Sequence, residues 1–222
     1  MEASEYIEQA EKKVWDVPGL SVSLPKREIQ NIGVIGAGTM GGGIAMNFAN
    51  AGIPVHIVET SQEKLELGLK VITGNYKRSI KRGKLTEDEL KVRMSMINSS
   101  TSLTDLMGCD LIIEAVYEDI ELKKKIFKEL DKIAKPFTIL ATNTSALDIN
   151  EIALQSLRPD DVIGLHFFSP ANVMKLLEIV RAKFTSEIGI ISFGRFFNFN
   201  SCSCMQSSFK DGCYERWDLM RT

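Results

Sequence analysis

Histidine is scarce in this chain: two of 222 residues. Imidazole chemistry therefore falls on His56 or His166. The four cysteines lack the paired spacing of a disulfide framework and point to a reducing, intracellular compartment. Cys109, alone in the main body, reads as a small buried thiol. Cys202, Cys204 and Cys213 form a C-x-C with a distant third member and no histidine after it. That is poor spacing for zinc, so no metal is expected. A net charge of −2 lacks the basic footprint of nucleic-acid binding, and no apolar run is long enough for a membrane span. The opening MEASEYIEQAEKK lacks the apolar core of a secretory signal and is too acidic for a transit peptide.

What is present is a globular composition, 44% hydrophobic and 25% charged, enough for one large domain with a substantial core. Residues 1–30 read as a linker, a short polar helix followed by VPGLSVSLPKRE with its breakers. From Asn31 the pattern alternates. NIGVIG is a short apolar run, TMGGGIAMNFANAG is helical, and PVHIVE is a second β-branched run: a βαβ unit with a right-handed crossover. A long helix follows from about Ser61 to Arg82, breaks at Gly83 and restarts behind a Thr86–Glu89 capping box. DLIIEAV, helix 119–134, FTILAT, a helix over about 148–156 and DVIGLHFF resume the alternation. MKLLEIV reads as a further strand, although its periodicity also allows a helix. The expected fold is α/β, a Rossmann-type doubly wound, mostly parallel sheet over 31–185 with a helical hairpin after strand two. Residues 186–222 form an atypical tail without a clear period.

Gly36-Ala37-Gly38-Thr39-Met40-Gly41 matches G-x-G-x-x-G between a strand and a helix. Gly36 permits the tight turn, Gly38 the approach of a pyrophosphate, and Gly41 close helix–strand packing. The first-turn amides face the phosphates. Glu59 ends the second strand, where a carboxylate accepts hydrogen bonds from ribose hydroxyls and repels a 2′-phosphate. NAD is favoured over NADP, with FAD the remaining dinucleotide.

In open parallel sheets ligands lie beyond the carboxyl ends of the strands. FTILAT runs there into Asn143-Thr144-Ser145, and DVIGL into His166. Glu178 lies beyond the turn at Ser169-Pro170-Ala171-Asn172. A histidine oriented by a carboxylate suits a general base that takes a hydroxyl proton as hydride leaves the same carbon. Ser145 can hold the reacting oxygen. A core histidine satisfied by backbone, with Glu178 facing solvent, fits the same spacing. His56, inside strand two, reads as structural.

VIGAGTMGGGIA, EAVYEDIELKKKIFKEL, ATNTSALDI and GLHFFSPANVMKLLEIV together resemble the amino-terminal domain of the L-3-hydroxyacyl-CoA dehydrogenases, in particular the dehydrogenase part of peroxisomal bifunctional enzymes. The resemblance covers about residues 30–185. It implies NAD-linked oxidation of a 3-hydroxyacyl-CoA to the 3-ketoacyl-CoA in fatty-acid β-oxidation. It places His166 as catalytic base, Glu178 as its partner, Ser145 at the substrate oxygen with Asn143 beside it, and Glu59 at the ribose. It also places Ala115, Glu118 and Lys123 against NAD. Arg82 and its basic neighbours could meet a CoA phosphate, as could any solvated charged face.

Past Arg181 the resemblance fades, without the family's further asparagine segment or helical domain. The expectation is intact NAD binding with an apolar face open to a partner or a second copy. The other reading is therefore a non-catalytic NAD-binding fragment. The ending MRT is not an S-K-L-type signal, so the compartment stays cytoplasmic or peroxisomal.

Overall fold

The computed structural model describes residues 5, 27–174, 176–198, 203–210 and 213–216, the backbone alone from 193 onward. The linker expected over 1–30 and the remainder of the tail lie largely outside these residues.

The chain alternates as its pattern requires. Strand β1 (Ile32–Ile35) leads into helix α1 (Thr39–Asn50) and strand β2 (Val55–Val58). The hairpin follows as α2 (Gln62–Lys81) and α3 (Glu87–Ser95). Ser61 caps α2 by accepting from Lys64 N, and the Thr86–Glu89 capping box is made in both directions. Between the two helices Gly83 takes φ +67°, a left-handed turn that a Cβ would strain.

Strand β3 (Ile97–Ser100) comes next. Its sequence INSS has one apolar residue, so periodicity does not reveal it; pairing with β2 makes it an edge strand. Then come β4 (Leu111–Glu114), α4 (Ile120–Ile133), β5 (Ile139–Thr142), α5 (Ile149–Ala153), β6 (Val162–Phe167) and β7 (Leu176–Arg181). FTILAT loses its first two residues to the preceding turn, because Phe137 sits at φ +67° with the Arg27 guanidinium over its ring. MKLLEIV is a strand, antiparallel to β6. Helix α6 (Glu187–Asn198) and strands β8 (Ser203–Lys210) and β9 (Cys213–Arg216) complete the described residues.

The strands form one sheet in the order β3-β2-β1-β4-β5-β6-β7-β8-β9, parallel from β3 to β6. Strand order reverses between β1 and β4, which opens a crevice at their carboxyl ends. Alternation divides the apolar residues between two faces. Val34, Ile57, Ile113, Ala141 and Leu165 pack with α1 and α2 on one face. Ile35, Val58, Ile112, Leu140 and Val180 pack with α4 and α5 on the other. His56 donates to or accepts from Ser100 Oγ at 2.9 Å, a structural contact with the edge strand. No helix among the described residues is long and apolar enough to cross a membrane.

Candidate active site

The parallel register aligns Val58, Ile35, Glu114, Thr142 and Gly164 across five strands. The residues that follow the first four, Glu59, Gly36, Ala115 and Asn143, therefore leave the sheet side by side at its carboxyl edge. His166 stands further out on β6, which runs past the end of β5.

Gly36 has φ +102°, and a Cβ there would lie 2.8 Å from Ala115 O. A Cβ on Gly41 would collide with the Gly36 carbonyl, so only glycine lets α1 start this close to β1. Gly38 is the contrast. Among the described residues, its own chain neighbours aside, no atom lies within 4 Å of the position a Cβ would take. The N-terminus of α1 carries no side-chain cap and no acidic residue in its first turn. Free amides, open space and the positive end of a helix fit a pyrophosphate, with Thr39 and Met40 supplying the first helical amides.

Glu59 is tied to the same loop. Its Oε2 accepts from Ala37 N at 3.1 Å, and its Oε1 from Thr60 N at 2.6 Å and Thr60 Oγ1 at 2.9 Å. Burial pushes its carboxyl pKa up, but these donors, with Lys64 nearby, outweigh burial and hold it below the ordinary value. The carboxylate stands charged where a ribose diol can donate to it.

Three of the catalytic candidates, His166, Glu178 and Asn143, meet at β6. His166 and Glu178 are directly opposed on β6 and β7. His166 Nδ1 lies 2.8 Å from Glu178 Oε2, so Nδ1–H donates and Nε2 is left as the acceptor. Among the described residues no other hydrogen bond is made by the ring. This geometry excludes the reading in which the histidine is satisfied by backbone and Glu178 faces solvent; Glu178 is buried. Asn143 Oδ1 accepts from Phe167 N at 2.9 Å and clamps the strand beside the histidine.

Ser145 is exposed, with N and Oγ 2.9 and 3.4 Å from Glu118 Oε1. Thr144 Oγ1 donates to the same oxygen at 2.5 Å. Burial raises the Glu118 pKa, but Thr144, Ser145 and Lys123 together bring it below the ordinary value. Lys123 is fully buried, in an ion pair with Glu114 at 2.7 Å and 3.4 Å from Glu118. It can thus reach a ligand only through its neighbours.

Residues 31–198 match the family model described as 3-hydroxyacyl-CoA dehydrogenase, NAD binding domain. The chain belongs to this family. It is 44% identical over 164 residues to the peroxisomal bifunctional enzyme of Cavia porcellus, covering 74% of this chain and 22% of that protein. It is 45% identical over 160 residues to a probable 3-hydroxybutyryl-CoA dehydrogenase of Bacillus subtilis, 72% of this chain and 56% of that one. The solved (S)-3-hydroxybutyryl-CoA dehydrogenase of Ralstonia eutropha superposes with a TM-score of 0.81 at 35% identity, covering 83% of this chain and 65% of that chain. The chain thus spans between about a fifth and two thirds of these relatives' lengths.

For a 3-hydroxyacyl-CoA dehydrogenase NAD-binding domain the dinucleotide is NAD, and the Gly38 cradle and Glu59 fit it. The family match also runs through α6, beyond the motifs that carry the sequence resemblance. Sequence reasoning passed over Glu114. Its only signal is a carboxylate ending an otherwise apolar strand, with a lysine nine residues on.

Proposed function

We propose that this site oxidises the 3-hydroxyl of an L-3-hydroxyacyl-CoA to the ketone, in fatty-acid β-oxidation. The observation that carries the proposal is the His166–Glu178 pair, which leaves one ring nitrogen to accept a proton at the edge that holds the glycine loop. NAD supplies the hydride acceptor when bound. His166 Nε2 takes the hydroxyl proton while the hydride leaves the same carbon, so the C–H and O–H bonds break and C=O forms. Glu178 fixes the tautomer and stabilises the imidazolium. Asn143 holds β6 in place, and Ser145 Oγ hydrogen-bonds the reacting oxygen. Gly36, Gly38, Thr39, Met40, Gly41, Glu59 and Ala115 hold the dinucleotide, with Glu118 and Lys123 bounding it below.

Two of the relatives above are named for 3-hydroxybutyryl-CoA, and the third is named as peroxisomal. We place this chain with acyl-CoA substrates and, by the same likeness, in a compartment that carries out β-oxidation. Acetoacetyl-CoA with NADH tests the reaction in reverse. NADH consumption that disappears in His166→Ala supports the reading. NADH binding without consumption supports a cofactor-binding unit instead, completed by a partner or a second copy.

A further inference from the structure

Beneath Ala115 and Ser145 lies a charged cluster whose innermost member, Glu114, has no part in the reaction above. Glu114 and Lys123 are both fully buried. Glu114 Oε1 accepts from Lys123 Nζ at 2.7 Å and from Val116 N at 2.8 Å, and Oε2 accepts from Thr142 Oγ1 at 2.7 Å. Its backbone oxygen accepts from Asn143 N at 2.8 Å. One carboxylate thus ties together β4, the loop after it, β5, and α4 through Lys123. Glu118 approaches the same lysine from the open side and receives Thr144 and Ser145. Two carboxylates share one buried ammonium, and the outer one carries the residues at the site.

We propose that Glu114 is a positioning residue: it holds Lys123, and through Lys123 it sets where Glu118 stands against the cofactor and Ser145. A buried ammonium that lost Glu114 would have Glu118 as its remaining carboxylate within reach. It would draw Glu118 inward, away from Thr144 and Ser145. A core ion pair with no functional link would leave Glu118 where it is.

The turnover part of this inference rests on the function proposed for Ser145; the binding part does not. The experiment is a double-mutant cycle on the whole chain, read first as NADH affinity by fluorescence titration. Glu114→Gln and Glu118→Gln are each expected to weaken NADH by about tenfold, and together by little more than either alone, because they break one chain of contacts. Unchanged affinity in Glu114→Gln, or effects that multiply, would overturn the proposal. The same cycle with Ser145→Ala, read as kcat, should be equally non-additive. Wild-type protein without turnover would refute the catalytic reading and leave the NADH cycle to decide this one. If Glu114→Gln does not fold, Thr142→Val removes only the donor to Oε2 and keeps every charge. It should weaken NADH by about threefold and Thr142→Ser should restore it; equal affinity in all three proteins would count against the role.

Discussion

His166 and Glu178 face each other across an antiparallel pair, so each backbone fixes the other's side chain before any ligand arrives. Glu178→Gln keeps the shape and loses the negative charge beside the imidazolium that forms in the reaction. It should lower kcat by about 10²-fold or more with NADH affinity intact, the mark of an interaction formed in the transition state; steady-state kinetics beside NADH titration check this. Cys109 shows the opposite kind of burial. Its thiol is pushed up to about 11 by burial and by Asp110, partly offset by Lys135. It should resist a thiol reagent in the native protein and react once the chain is unfolded, with the count of modified cysteines read by mass spectrometry.

Among the elements, α2 touches the cofactor site from behind. A Cβ on Gly68 would collide with the carbonyl of Ala37, whose amide holds Glu59. Gly68→Ala should therefore weaken NADH binding although the residue lies in a helix outside the site. Its own helix propensity would improve by about 1 kcal/mol. Titration and thermal melts on the same sample separate the two effects.

The helical hairpin was legible because its signals are local: a serine cap, a glycine break and a capping box. The glycine loop and Glu59 were legible because their spacing encodes a mechanism. Strand β3 was not, since INSS becomes a strand only by pairing with β2. Nor was the role of Glu114, because nothing local separates a carboxylate buried against a distant lysine from one at the surface. The His166–Glu178 contact stood between the two. Its spacing allowed it, and only the antiparallel register of β6 and β7 decided it.

Across the whole molecule, two carboxylates of the site also support the fold, as does Asp110. Glu59, Asp110 and Glu118 all have pKa values lowered by folding. Burial raises each, and hydrogen bonds outweigh it: from Ala37 and Thr60 for Glu59, from Lys135, Gln30 and Asn31 for Asp110, from Thr144 and Ser145 for Glu118. A carboxyl that holds its proton less tightly when folded stabilises the fold above its unfolded pKa. That contribution is lost as pH falls through the folded value. Tm should hold from neutral pH down to the ordinary carboxylate range and then fall, with a shallower fall in Glu59→Gln; melts across that range test it.

The central claim is that a cofactor cradle and an oriented histidine share one sheet edge in this chain and work together. The most direct measurement is loss of NADH absorbance with acetoacetyl-CoA, for the wild-type chain and for His166→Ala. The account predicts consumption by the wild type and none above background by the variant, while both bind NADH equally. Equal consumption by both proteins would contradict it.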